Sequence, residues 1–434
     1  MVFKTVMPRK MGTLPLYLHP AIFLLLAGCD AYYGRSGDDG DARDTVSDRE
    51  ETVDAPESAD GMDIGMDEDS PGDAGDADAP GDAAGDAPAE DAVDLVEEEE
   101  IALPPVYPGA TWDTASPADM GLDESGLNSY RDFVGGRGCV VRGGVMVYTW
   151  GDQAGRGDIA SACKPFYTHF LFEAIEDGLL PGETAKVADH EPRLNDLNAG
   201  LGHKDRDIEW RHLANQVSCY GVVEQPGAAF DYSDYNMALF FDTLFVSVYG
   251  SSWDRVDGGV FHSILTDVIQ CEDNPTLMAF GTGDRPGRVG ISVRDFARFG
   301  LLYMRMGRWE DTQLLSAEHV LQITTSPLSN SIPRTSGSGA EMISGQRSIG
   351  GGNNQTDHMG SYSFAWWTNG VDRGGQRHWP DAPEDTYGAF GHGGPRVMAV
   401  IPSLDIVTSW NDASVDSRED ENEALRRLVE SVTD

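Results

Sequence analysis

The chain has 434 residues, enough for one large domain or two ordinary ones with appendages, and carries a formal net charge of −42. Such an excess of acid excludes a general nucleic-acid binder, which needs clustered Lys and Arg to neutralise phosphates. The acid is unevenly placed: residues 30–100 hold 27 Asp and Glu against Arg35, Arg43 and Arg49, more than half of the whole excess.

Residues 1–29 read as a targeting segment. Lys4, Arg9 and Lys10 give a basic start, "LPLYLHPAIFLLLAG" an apolar run, and "LAGC" closes it at Cys29. The run is too short and interrupted for a spanning helix. "LAGC" resembles the bacterial lipobox, in which the cysteine is lipidated and becomes the mature N-terminus. That resemblance implies a lipid anchor on Cys29 and a place in the cell envelope, held to a membrane and facing the periplasm or the exterior. The alternative, an ordinary signal peptide cut near Gly28, also exports the chain.

Residues 30–105 form an acidic tether rich in Asp, Ala, Gly and Pro. Large apolar residues are scarce there, so nothing offsets the entropy of folding, and like charges keep the segment extended. A calcium loop starting at Asp76 fails, because Pro80 and Ala87 stand where oxygen ligands belong. Cys139, Cys163, Cys219 and Cys271 fit no zinc spacing, and in an oxidising compartment they allow one or two disulfides.

Composition turns globular at residue 106 and stays so to 434. "GCVVRGGVMVYTWGD" (138–152) alternates and turns at Gly143-Gly144, which predicts a β-hairpin. In "SACKPFYTHFLFEAIEDG" (161–178), Phe166, Phe170, Leu171, Ala174 and Ile175 recur at helical spacing, and Gly178 supplies a stop. A second apolar helix is expected around "NMALFFDTLFVSVYG", ending at Gly250. A third lies in 292–307, capped by Ser292, with Phe296, Phe299, Leu302 and Tyr303 as its buried stripe. A loop tract rich in Gly, Ser and Asn follows; with no Lys-Ser/Thr ending and no helix after it, it is no phosphate cradle. Short β-like segments, "SYSFAWWTNG", "RVMAVIP" and "LDIVTSW", precede a polar last helix. Strand, helical middle, then returning strands predicts an α+β domain whose sheet is built from both ends of the chain.

Ser161 and Lys164 stand one helical turn apart, so an amine can reach a hydroxyl. A serine hydroxyl needs a neighbouring base, and lysine serves as one when burial and neighbours depress its pKa. A nucleophile near a helix start also gains backbone N–H groups facing a developing oxyanion. Alone, the pattern fits equally a cap and a solvated lysine. However, the sequence holds five lysines against 26 arginines, and this is its one Ser-x-x-Lys. There is no Gly-x-Ser-x-Gly elbow and no His-Glu-x-x-His. His190, His203 and His212 are scattered in a polar stretch and read as surface or structural groups rather than metal ligands.

Two further stretches complete a pattern. "FDYSDYNMALF" places Tyr232 and Asp234 before a helix, and "YGAFGHGGPRVMAVIP" places His392, Gly393 and Gly394 before the terminal strands. With Ser-x-x-Lys, these resemble the three signatures of the serine β-lactamase-related superfamily, class C-like branch: Ser-x-x-Lys, Tyr-x-Asn and Lys/His-x-Gly. "GRVGISVRDFARFGLLYMRMGRWEDTQLLS" is similar to the family's long helix region, and the resemblance spans roughly 106 to 430. It implies an antiparallel sheet flanked by helices with a mainly helical subdomain, as in β-lactamases and penicillin-binding proteins.

It also implies roles. Ser161 would be acylated, Lys164 its base, Tyr232 a proton relay and His392 a hydrogen-bond donor or cation beside the substrate. Asp234, Gly393 and Gly394 would line the substrate site. No metal or cofactor is needed. The implied activity is a serine esterase or amidase on small substrates; the alternatives are a β-lactamase or DD-peptidase acting on cell-wall peptides, or a catalytically silent envelope-binding module. Two departures stand out. Asp234 replaces the usual Asn, and also fits as an N-cap. Pro395, which has no N–H, follows the third motif, leaving Gly394 or Arg396 to complete the oxyanion hole or the hole weaker.

Overall fold

The computed structural model describes residues 105–280 and 285–433. The leader, Cys29 and the tether up to residue 104 lie outside the described residues.

The helix α1 (Glu124–Val134) opens the domain, capped by Asp123, whose side chain accepts the Gly126 N–H at 2.8 Å. Leu127, Tyr130 and Val134, at helical spacing, make its one buried stripe. The predicted hairpin forms β1 (Arg137–Arg142) and β2 (Val145–Trp150). Gly143 and Gly144 turn it with φ of 63° and 82°, the left-handed values that a tight hairpin needs and glycine adopts freely. A short strand, β3 (Gly157–Asp158), leads into α2 (Lys164–Glu176). Every residue of α2 from Lys164 to Ala174 is buried, the polar Lys164, Thr168, His169 and Glu173 included, so the helix is covered on all sides and not only along its apolar positions.

The helical middle continues through α3 (Trp210–Ala214) and α4 (Asp234–Phe241). The expected second apolar helix is in fact α4 followed by wider, π-type turns over Asp242–Val248. Strand β4 (Thr276–Ala279) pairs with β5 (Pro286–Ile291), which pairs with β3 on its other side, in a small sheet that the sequence pattern did not reveal. Then comes α5 (Val293–Met304), where Ser292 Oγ accepts the Asp295 N–H as its predicted cap. The ribbon β6 (Arg308–Trp309) and β7 (Thr312–Gln313) precedes α6 (Ala317–Thr325).

After the Gly- and Ser-rich tract come β8 (Tyr362–Ser363), β9 (Trp366–Thr368), β10 (Tyr387–Gly391), β11 (Arg396–Ile401) and β12 (Ile406–Asn411), closed by α7 (Arg418–Glu430). The main sheet runs β2-β1-β12-β11-β10-β9-β8, antiparallel throughout. Two strands thus come from the start of the domain and five from its end.

Alternation along these strands makes two cores. Val397, Ala399 and Ile401 join Tyr130 and Leu425 of α1 and α7 on one face. Met398, Val400 and Val407 join α2 and α5 on the other. On that second face Phe166 stacks on Phe299 at 4.1 Å between ring centres. The four cysteines of the domain are unpaired, and burial raises the thiol of Cys163 to about 11. The permitted disulfides are not formed here: Cys139, Cys163 and Cys219 are buried as small apolar groups, and Cys271 is half-buried against the core.

Candidate active site

The nucleophile is presented by a backbone turn that its neighbours hold in place. Asp158 ends β3; its Oδ1 accepts the Ala160 N–H at 2.7 Å while its Oδ2 meets Arg288 at 2.8 Å. Ala160 is buried with a φ of 49°, a left-handed conformation that a residue with a Cβ adopts at a cost. The chain then enters a 3₁₀ turn, Ala160–Cys163, which feeds α2. Gly391, at the end of β10, passes so close that a Cβ there would meet Ile159 O at 2.4 Å.

Lys164 Nζ donates to Ser161 Oγ at 2.9 Å and lies 3.0 Å from Asp234 Oδ1. The ammonium also sits over the Tyr232 ring, 4.5 Å from its centre. Asp234 can reach Lys164 because it does not cap α4. Ser233 does that, its Oγ accepting the Asn236 N–H at 3.2 Å, which corrects the N-cap expectation. The second Asp234 oxygen accepts the Gly351 N–H at 2.6 Å.

Burial works against both charges of this pair. For Lys164, Tyr232 and Asp234 outweigh it and hold the amine above its ordinary pKa. For Asp234, Lys164 and the Gly351 N–H outweigh it and hold the carboxyl below. The resting pair is ionised. The sequence reading needed a depressed lysine pKa; instead Tyr232 and the Asp234 carboxylate beside it hold Lys164 up.

His392 lies at the exposed mouth, with a φ of 55° and its ring 3.4 Å from Arg396. Burial first, then Arg396 and Arg288, lower its pKa, so it is neutral at pH 7. Gly394 does not face the same way. Its N–H closes the turn on Gly391 O at 3.2 Å, and its carbonyl accepts Trp410 Nε1 at 2.7 Å. Arg396 pairs with Gly391 in the β10–β11 ladder.

A cavity of about 630 Å³ opens at Ser161. Of the residues expected from sequence, Ser161, Tyr232, His392 and Gly393 line it. Lys164 and Asp234 stand behind the lining, and Gly394 is turned into the sheet. Sequence reasoning missed Trp367, His378, Phe390 and Glu421, which line it too. Glu421 sits in the acidic start of the last helix and Trp367 in an aromatic strand, and neither pattern distinguishes a cavity wall from surface or core. Among the described residues no group of three or more His, Cys, Asp or Glu is placed to hold a metal.

No protein-family model and no curated protein matches the sequence. Solved structures do match in shape. A Bacillus anthracis protein assigned as a 6-aminohexanoate-dimer hydrolase superposes with a TM-score of 0.50 at 13% identity, covering 76% of this chain and 87% of its own. The chain has the serine β-lactamase and penicillin-binding-protein fold. A penicillin-binding-protein homologue from Caulobacter crescentus gives 0.47 at 11% identity, covering 72% of this chain and 99% of its own. A class C β-lactamase bound to cefoxitin gives 0.44 at 11% identity, covering 73% and 97%.

Proposed function

We propose that the chain is a serine hydrolase working through an acyl-enzyme on Ser161, an esterase or amidase on small neutral or cationic substrates. The observation that carries this is the buried Lys164 amine 2.9 Å from a serine hydroxyl in the wall of a substrate-sized cavity. In the reactive form Lys164 is the free amine. The Ser161 proton moves to Nζ as Oγ bonds to the substrate carbonyl carbon, and the tetrahedral oxyanion faces the first-turn N–H of Ser161. The leaving group departs with a proton passed through Tyr232. Water then attacks the ester on Ser161, and Oγ recovers its proton.

Anionic substrates are disfavoured, though not by Asp234, whose charge Lys164 matches. His392 is neutral, and of the cavity's acidic residues Asp357 and Glu419 are paired with Arg373 and Arg418 while Asp416 has no ion-pair partner among the described residues, so the lining offers no free cation to hold a carboxylate. This supports an esterase over a β-lactamase or DD-peptidase, whose substrates carry a carboxylate. We also propose that Cys29 is lipidated and the domain tethered to an envelope membrane; the "LAGC" ending supports this.

A panel of short-chain nitrophenyl esters, nitrocefin and a D-Ala-D-Ala peptide tests the ranking. The esters are expected to show the highest kcat/KM, and a nitrocefin rate equal to the best ester would favour the β-lactamase reading.

A further inference from the structure

Tyr232 and Asp234 are held from one side by residues 349–355 of the Gly- and Ser-rich tract. Asp231 Oδ1 accepts the Asn354 N–H at 2.6 Å, Tyr232 O accepts the Gln355 N–H at 3.1 Å, and Ser233 Oγ donates to Asn353 Oδ1 at 2.5 Å. Asp234 is bonded at three points. Its N–H donates to Gly352 O at 3.1 Å, its carbonyl accepts the Ile349 N–H at 3.2 Å, and its carboxylate accepts the Gly351 N–H at 2.6 Å. All four residues from 231 to 234 are thus bonded to a stretch that has no helix or strand of its own.

A glycine-rich stretch is not stiff by itself, so its position must come from an anchor. Arg347 supplies it. This side chain is 4% exposed, and all three of its nitrogens are engaged. Nη2 donates to Asp242 Oδ1 at 2.6 Å and to Pro286 O at 2.5 Å, Nη1 to Phe280 O at 3.1 Å and Arg285 O at 3.2 Å, and Nε to Asp242 Oδ1 at 3.2 Å. The guanidinium also lies 5.6 Å from the Phe241 ring centre and 5.5 Å from that of Trp253. One residue therefore ties the tract to the end of α4 and to β5. Arg288 of β5 adds a second tie, donating from Nε to Ile349 O at 3.1 Å while Nη1 meets Asp158 beside the Ser161 turn.

Around the Lys164–Asp234 pair, burial keeps the Cys163 thiol and the Tyr167 and Tyr362 phenols neutral near pH 7. His392 is neutral as well, and Arg288 is engaged by Asp158. Tyr232 lies under the amine. Asp234 is the one carboxylate against it.

We propose that Arg347 is a positioning residue for the hydrolysis: it anchors the tract whose Gly351 N–H fixes the Asp234 carboxylate against Lys164, and so governs when Lys164 gives up its proton. This role rests on the hydrolase reading above. Without the anchor the carboxylate is no longer fixed 3.0 Å from the amine, and the attraction that keeps the proton on Nζ weakens.

The rate at which a serine-reactive phosphonate labels Ser161 in the full-length protein, followed from neutral to alkaline pH, reads that release. Arg347→Lys keeps a positive charge beside Asp242 but lacks the planar fork that reaches the carbonyls of Phe280, Arg285 and Pro286 as well. Its labelling profile should move to lower pH by about half a unit or more, the direction expected of Asp234→Asn. Added to Asp234→Asn, it should move the profile no further, because two changes acting through one group are not additive. A profile that superimposes on that of the unaltered protein, or an equal shift in both backgrounds, overturns the role. If Arg347→Lys does not fold, Asn353→Ala, which removes a single bond to Ser233 at a half-buried position, decides it by the same comparison. No labelling of the unaltered protein at any pH overturns the hydrolase reading and this role together, whereas labelling with coincident profiles overturns the role alone.

Discussion

Two buried carboxylates flank the same cavity and behave in opposite ways. Asp234, behind Ser161, has an ammonium at 3.0 Å and a backbone N–H at 2.6 Å, and stays ionised. Glu421, at the start of α7, has only the Trp379 indole, and burial pushes its pKa up to about 7. The catalytic end is internally neutral, a matched pair holding the nucleophile in place. The far end has no such match, and the Glu421 carboxyl is kept neutral by burial rather than charged by a partner. The difference separates a carboxylate kept charged by its partners from a carboxyl kept neutral by burial.

The largest effect belongs to the nucleophile. Ser161→Ala removes no charge, so it should fold normally and lose turnover by roughly 10⁴-fold or more. Lys164→Ala is a poorer probe than sequence suggests, because it leaves Asp234 buried and unpaired at a cost of about 3–5 kcal/mol. Thermal unfolding should show that loss, and the double change Lys164→Met/Asp234→Asn should recover most of it. Tyr232→Phe should lower kcat by roughly 10²–10⁴-fold, the span for a positioned proton-transfer group, with little change in Tm.

Asp234→Asn sharpens the comparison directly. It removes the charge that keeps Lys164 protonated, so the lysine pKa falls. The acid limb of the kcat/KM profile should then move to lower pH by about one unit or more. An unmoved limb would mean that Lys164 is not the titrating base.

The smallest effect is on stability. Glu421 is protonated in the folded state up to about pH 7 and in the unfolded chain only to its ordinary value of 4.5. Its contribution is therefore full below pH 4.5 and is lost as pH rises through 7, at most about 3 kcal/mol for a shift of this size. Glu421→Gln should remove that slope. Asp234 runs the other way: its contribution is present above pH 3.8 and is lost on acidification.

Much of this was legible in the residues. Ser161 with Lys164 could be found because spacing on one turn and a rare lysine are local properties, whereas Tyr232 and the His392 turn were found only through the resemblance of three motifs in order. The sheet built from both ends followed from strand patterns at the two ends of the domain. What escaped depends on distance in sequence. Asp234 and Lys164 are 70 positions apart, and no spacing says that Ser233 takes the cap and frees the carboxylate. Glu421 and His378 meet one cavity from different elements, each inside a pattern that reads as ordinary polar helix or loop. The π-type turns after α4 escaped for another reason: a segment apolar on every side has no periodicity to shift.

The central claim is that Ser161 is a nucleophile activated by Lys164. A fluorescent phosphonate that reacts with activated serines, followed by mass spectrometry of the labelled peptide, tests it without knowledge of the substrate. The account predicts a single adduct on Ser161 in the unaltered protein and none in Ser161→Ala. No adduct on folded protein across neutral to alkaline pH, or equal labelling of Ser161→Ala, would contradict it.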